Sequence, residues 1–158
     1  MKMLQINIER CLGCHSCELA CAVEHSRSKI LSEAIKESPP PGYRVSVIGV
    51  DGAVGPLQCR HCDDAACVMV CPSGALVKSE EGPVFLNYSL CVGCQLCVIA
   101  CPFGVIYSDR EGKAVIKCDL CRERLGREED PACVTACPTG ALRFEEPEMA
   151  KIKDGKDH

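Results

Sequence analysis

The stretch Cys91-Val92-Gly93-Cys94-Gln95-Leu96-Cys97-Val98-Ile99-Ala100-Cys101-Pro102 decides how this chain is read. Three cysteines stand two residues apart, a fourth follows three residues later, and a proline closes the run. C-x2-C-x2-C-x3-C-P is a recognised pattern of bacterial iron–sulfur ligation. Cysteines so spaced lie on a tight loop that curls round one face of a cubane cluster, with backbone N–H groups turned inward. The fourth cysteine starts a short helix directed away from that cluster and ligates the neighbouring one. The proline removes an N–H and fixes the chain direction at the exit.

Outward from this run, the remaining cysteines fall into three further groups of four, and none is left over. Cys11, Cys14, Cys17 and Cys21 repeat the spacing without the proline. Cys59, Cys62, Cys67 and Cys71 follow C-x2-C-x4-C-x3-C, then Pro72. Cys118, Cys121, Cys133 and Cys137 follow C-x2-C-x11-C-x3-C, then Pro138. Zinc is the rival metal, since the second and fourth groups contain paired C-x2-C knuckles. The third x2-spaced cysteine of the other two groups, and the trailing x3-Cys-Pro, have no role in a zinc site. The pattern favours iron–sulfur clusters.

Composition agrees. Sixteen cysteines in 158 residues, with no Trp, three Phe and three Tyr, make a cysteine-held scaffold. The hydrophobic share of 47% includes those cysteines; without them it drops to about 37%, a thin supply for an ordinary core. No apolar run is long enough to span a membrane. The N-terminus runs straight into the first motif, with no apolar signal core and no twin-arginine pair, so the chain is expected in the cytoplasm. Thiols stay reduced there, which disfavours a disulfide framework. A formal charge of -4 argues against nucleic-acid binding.

The motifs belong to an internal repeat. Cys71-Pro72-Ser73-Gly74-Ala75-Leu76 matches Cys137-Pro138-Thr139-Gly140-Ala141-Leu142, and Cys101-Pro102-Phe103-Gly104-Val105-Ile106 is a third copy. Each unit reads as strand, cluster loop, short helix, turn and strand. Entry strands are expected over 4–8 and 84–87, and exit strands over 75–78, 105–108 and 141–145. A strand over 114–117 leads into the fourth group. Hairpin turns are expected at 79–83 and 109–113. The expected fold class is α+β: the layout resembles tandem bacterial-type dicluster ferredoxin folds, with short antiparallel strands and short helices around four clusters. Two segments break the repeat. Residues 22–57 are expected to hold a helix over 25–36, stopped by Pro39-Pro40-Pro41-Gly42, and a strand over 43–50, with Gly49, Gly52 and Gly55 in turns. Residues 122–132 read as a charged, solvated or partner-facing loop. The charged tail, 147–158, is expected to be disordered.

The series 2-2-3, 2-4-3, 2-2-3, 2-11-3 resembles the four-cluster ferredoxin-like electron-transfer subunits. Members serve molybdopterin oxidoreductases such as dimethyl sulfoxide reductase and formate dehydrogenase; others serve formate hydrogenlyase, carbon monoxide dehydrogenase and tungsten aldehyde oxidoreductases. Gln58-Cys59-Arg60-His61-Cys62-Asp63-Asp64-Ala65-Ala66-Cys67 looks especially like the small soluble members. The resemblance implies that motif one pairs with motif four and motif two with motif three. Cluster A would then take Cys11, Cys14, Cys17 and Cys137, and cluster B Cys118, Cys121, Cys133 and Cys21. Cluster C would take Cys59, Cys62, Cys67 and Cys101, and cluster D Cys91, Cys94, Cys97 and Cys71. All four are expected as [4Fe–4S] clusters. The corresponding organisation is an outer dicluster half (1–22 and 106–146), an insertion (23–57), an inner half (58–105) and the tail (147–158).

The resemblance implies a non-catalytic subunit that relays single electrons between a catalytic oxidoreductase subunit and a second redox protein. That catalytic subunit would be a molybdenum or tungsten enzyme, or of carbon monoxide dehydrogenase or hydrogenase type. The alternative is a free polyferredoxin that shuttles electrons by diffusion; a regulatory or structural metal protein is a third reading. No Ser-His-Asp set, P-loop or dinucleotide fingerprint appears, and no residue set is suited to an organic substrate. His15 and His61 lie between cluster cysteines, but sixteen cysteines already fill four quartets. Arg10, Arg60, Lys117, Arg122 and Arg124 stand near ligands in sequence and are candidate counter-charges, or ordinary surface charges. Phe85, Tyr88, Phe103 and Tyr107 flank the second and third groups and read as packing beneath a small sheet.

Overall fold

A computed structural model describes residues 2–146; the expected disorder of 147–158 falls outside that range. Among the described residues the fold is α+β, with four two-stranded antiparallel sheets and six short α-helices. Strand β1 (Met3–Ile6) pairs with β8 (Leu142–Glu145), so the first and last elements of the described residues share a sheet, with Leu4 opposite Phe144 and Ile6 opposite Leu142. The other three sheets are hairpins. They join β2 (Val45–Val50) to β3 (Ala53–Gln58), β4 (Leu76–Lys78) to β5 (Val84–Leu86), and β6 (Tyr107–Ser108) to β7 (Val115–Ile116). The turns expected at 79–83 and 109–113 connect the last two. Asp109 accepts the Lys113 N–H at 2.9 Å, and Gly112 adopts φ +68° there.

The helices are α1 (Ser16–Glu24), α2 (Leu31–Ala34), α3 (Ala66–Met69), α4 (Leu96–Ala100), α5 (Arg122–Leu125) and α6 (Ala132–Thr135). The repeat is visible in bond detail. Asn7 and Asn87 each cap a 3-10 turn through the side-chain oxygen, accepting from Glu9 N (3.1 Å) and Ser89 N (3.0 Å). Each also donates its own N–H across the fold, Asn7 to the Ala141 carbonyl at 2.8 Å and Asn87 to the Ala75 carbonyl at 2.7 Å. Motif one is thereby tied to the exit of motif four, and motif three to the exit of motif two.

Two apolar clusters form the core. One gathers Leu4, Cys17, Cys21, Val45, Leu120, Cys133 and Leu142. The other gathers Ala65, Leu76, Val84, Cys97, Ile106 and Val115. Cysteines are three of the seven residues in the first and one of the six in the second, where Cys67, Cys71, Cys91 and Cys101 pack around it. The inserted β2–β3 hairpin joins the first cluster through Val45, and β6–β7 joins the second through Val115.

Three expectations for the insertions change. The helix expected over 25–36 is absent: α1 ends at Glu24, Lys29 takes φ +54°, and only the single turn of α2 follows. Side chains capture the N–H groups a continuous helix would use. Ser26 Oγ accepts from Lys29 N at 2.9 Å, and the Glu37 carboxylate accepts from Arg27 N and Ser28 N at 3.1 and 2.9 Å. Of the three glycines expected in turns, only Gly52 turns the chain. Asp51-Gly52 takes φ +50° and +82°, the conformation that two-residue hairpins favour, while Gly49 and Gly55 lie within β2 and β3. The charged 122–132 segment begins as helix α5 rather than loop. Glu123 pairs with Lys29, and Arg124 pairs with Glu24 at 3.4 Å, holding the segment against the end of α1.

Candidate metal centre

All sixteen cysteines are free thiols. In motifs one and three, Gly13 and Gly93 occupy φ +66° and +67°, and the residues after Cys14 and Cys94, His15 and Gln95, take φ +59° and +62°. These left-handed steps bend each loop tightly before its helix begins. At Gly93 the bend lies so near the β6–β7 turn that a Cβ would stand 2.8 Å from the Gly112 and Lys113 carbonyl oxygens.

Helix α1 packs on α6, and α3 on α4. The last cysteine of each motif does not start a helix as expected: Cys21 lies within α1, and Cys71, Cys101 and Cys137 follow α3, α4 and α6, because the helix already begins just before the third cysteine. The packing brings this last cysteine to its partner motif. Cys11, Cys14, Cys17 and Cys137 line one pocket. The Cys133 thiol is acted on by Cys118, Cys21, Cys121 and Cys17. In the other pair Cys67 feels Cys59 and Cys101, and Cys97 feels Cys67, Cys71 and Cys91. The two pairs meet where Cys118 feels Cys59.

Burial sets the thiols apart. It pushes Cys17 up to about 11 and Cys121 up to about 12, and raises Cys118 and Cys133 as well. Cys71 and Cys137 move the other way. Burial opposes their ionisation, but backbone N–H groups at Ser73, Ala75 and Leu76, and at Thr139, Ala141 and Leu142, outweigh it. The repeated C-P-[ST]-G-A-L turn is thus a small nest of donors around a thiolate, the form in which cysteine binds metal. Cys14 and Cys94 are the two exposed thiols.

The surroundings fit an acceptor-rich group. Gln58, next to Cys59 and 1% exposed, has neither side-chain oxygen nor nitrogen partnered among the described residues. His61 Nδ1 accepts the Val84 N–H at 3.0 Å, while its buried Nε2 has no partner among the described residues. Burial pushes the His61 pKa down to about 3, so the ring is neutral with its proton on Nε2. His15 is exposed and faces Glu18 at 2.9 Å. Of the five cations near ligands in sequence, only Lys117 is buried; Arg10, Arg60 and Arg122 are exposed. Arg122 lies over the Phe85 ring at 4.8 Å. Phe103 and Tyr88 are about half exposed rather than packed beneath a sheet.

One group of functional side chains lies outside the motifs. Arg44 N donates to Cys21 Sγ at 3.2 Å. Its guanidinium reaches Asp119 at 2.5 Å and the Tyr88 hydroxyl at 3.2 Å. His25 bonds the Cys21 carbonyl at 2.8 Å and Asp119 at 3.1 Å. Burial works against charging His25, but the Asp119 carboxylate and the Cys21 thiol, 3.7 Å from Nδ1, prevail and raise it to about 9. Only the fold brings Arg44 to Cys21, so the motif spacing carries no sign of it.

A 4Fe-4S dicluster domain matches residues 50–147, and a 4Fe-4S binding domain matches residues 8–24. This protein belongs to the 4Fe-4S dicluster domain family. It is 42% identical over 155 residues to an iron-sulfur protein of Rhodospirillum rubrum, covering 90% of this chain and 80% of that one. It is 36% identical over 137 residues to the thiosulfate reductase electron transfer subunit PhsB of Salmonella typhi, covering 86% and 71%. It is 37% identical over 157 residues to the B component of the polysulfide reductase of Wolinella succinogenes, covering 92% and 76%. This dicluster protein is therefore an electron-transfer iron–sulfur protein with four [4Fe–4S] clusters, non-catalytic like its reductase-subunit relatives. No helix among the described residues is long and apolar enough to cross a membrane.

Proposed function

We propose that this chain is the electron-relay subunit of a cytoplasmic reductase-type complex, standing between a catalytic subunit and a second redox protein. The observation that carries the reading is the crossing of the last cysteines: Cys137 lines a pocket with Cys11, Cys14 and Cys17, and Cys21 acts on Cys133. Cluster A accordingly takes Cys11, Cys14, Cys17 and Cys137, and cluster B takes Cys118, Cys121, Cys133 and Cys21. Cluster C takes Cys59, Cys62, Cys67 and Cys101, and cluster D takes Cys91, Cys94, Cys97 and Cys71. When bound, the clusters supply one-electron redox chemistry. The protein's own part is to fix ligand spacing, aim N–H groups at sulfur, and hold cations near the buried quartets.

Motifs one and four form an outer half and motifs two and three an inner half. The exposed thiols Cys14 and Cys94 lie one in each half, which gives each half an approach for a redox partner. The partner fitting this arrangement is a molybdenum or tungsten oxidoreductase, or an enzyme of carbon monoxide dehydrogenase or hydrogenase type. Relatives named as parts of thiosulfate and polysulfide reductases support a stable complex over a diffusing shuttle. The test is anaerobic purification of the tagged chain from its own cells. The reading expects a stoichiometric metalloenzyme whose substrate reduces or oxidises the clusters. A clean monomer that exchanges electrons only by collision overturns it.

A further inference from the structure

Among the described residues, Lys117 is the one buried cation that has no acid beside it. It is 2% exposed, and its ammonium donates to the carbonyl oxygens of Val84 (2.6 Å) and Cys118 (2.9 Å). No described carboxylate lies within ion-pair distance; Asp119, the nearest acid in sequence, is taken by Arg44 and His25. A buried ammonium without a counter-charge is strongly disfavoured, so the anion must come from elsewhere in its surroundings.

Those surroundings are cluster cysteines. Lys117 acts electrostatically on the Cys67 thiol, and it adjoins Cys118, which in turn feels Cys59. The position is built on both sides. Val84 offers its carbonyl to Lys117 and its N–H to His61 Nδ1. One residue of β5 therefore fixes the cation beside motif four and the ring inside motif two. Carbonyl acceptors orient the ammonium without supplying a counter-charge.

We propose that Lys117 is the fixed counter-charge at the joint between motifs two and four, and that it sets the reduction potential of the clusters those motifs hold. The proposal rests on the relay reading but goes beyond it, because it assigns a tuning role to a residue that is not a ligand. Reduction adds one electron, and so one negative charge, to a cluster. A fixed cation beside it favours the reduced form, in which an external donor such as dithionite supplies the electron.

The test compares the whole chain with its Lys117→Gln and Lys117→Arg variants, measuring iron and sulfide content and following each cluster in a redox titration by electron paramagnetic resonance. Gln keeps N–H donors for both carbonyls but removes the charge. The expected result is a full iron content in Lys117→Gln and a fall of at least tenfold in the reduction equilibrium of one or two clusters, about 59 mV for a one-electron couple. The other clusters stay within threefold, and Lys117→Arg stays within threefold throughout. Full iron with all potentials of Lys117→Gln within threefold overturns the proposal. If Lys117→Gln fails to assemble, Lys117→Arg decides: assembly with wild-type potentials supports the charge role, and failure or a tenfold shift overturns it. Loss of the relay reading would show separately, as a low iron count in the unaltered chain.

Discussion

Cys101 distinguishes shared from local ligation at a single atom. It follows the helix that begins after Cys94, and its thiol acts on Cys67 of the other motif. Cys101→Ser should therefore damage first the cluster held by Cys59, Cys62 and Cys67, with the cluster of Cys91, Cys94 and Cys97 retained; cluster-resolved spectroscopy reads the difference. Two glycines with nearly the same φ provide a second residue-level test. At Gly104 (φ +61°) an added Cβ meets nothing within 4 Å, so Gly104→Ala should cost only the left-handed strain, about 1–2 kcal/mol. At Gly93 the same change drives a Cβ to 2.8 Å from two backbone oxygens, and should loosen motif three enough to lose its cluster. Denaturant-induced bleaching of the visible absorbance compares the two. At this scale the ligands were legible, since ligand spacing is a local property of the chain. Lys117 was legible only as one of five cations near cysteines. What singles it out is burial by β5, which the sequence around it does not encode.

The elements that matter most beyond the motifs belong to the β2–β3 hairpin. Val45 is 2% exposed within the first apolar cluster, and its neighbour Arg44 donates to Cys21 Sγ. Val45→Ala should cost about 1–3 kcal/mol and hasten loss of the cluster that includes Cys21, whereas Ile48→Ala, at an exposed site, should stay within about 0.5 kcal/mol. The turn before α2 offers a pH test. The Ser28 amide, with that of Arg27, holds the Glu37 carboxyl below its ordinary value of 4.5. Its folded pKa is thus depressed, so the stabilisation is present above 4.5 and fades as pH falls through that range. Hydrogen exchange by mass spectrometry over 26–29 should show greater protection above that pH in the native chain, and should be faster and lose this acid dependence in Glu37→Ala. This region is also where the sequence misled. Residues 25–36 have helical composition, but Ser26 and Glu37 compete for the backbone donors, and helix propensity does not register such side-chain capture. The hairpin was readable in principle from Asp51-Gly52, a turn pair between two Val-containing runs, but Gly49 and Gly55 on either side blur which glycine makes the turn.

At the scale of the whole molecule, the iron–sulfur clusters supplement two small apolar clusters. Four oxidised cubanes add about -8 to the formal charge of -4. The thiolates that hold them come from segments joined otherwise by two-stranded sheets, short helices, two small apolar clusters and a few ion pairs. Chelation or oxidative loss should therefore unfold the chain rather than leave an ordered apo-protein, and circular dichroism should follow the loss of visible absorbance. The repeat and its four metal groups could be read along the chain because each motif is contiguous. Which motif faces which is a long-range property; its signs, such as Asn7 bonding Ala141 and Asn87 bonding Ala75, exist only in the fold. The measurement that tests the crossed, four-cluster account most directly is iron anomalous scattering from crystals of the anaerobically purified protein. The account predicts four cubanes of about sixteen irons in total, with Cys21 bound to the cluster of Cys118, Cys121 and Cys133, and Cys101 to that of Cys59, Cys62 and Cys67. Fewer iron sites, or four cubanes each held by the cysteines of one motif alone, would contradict it.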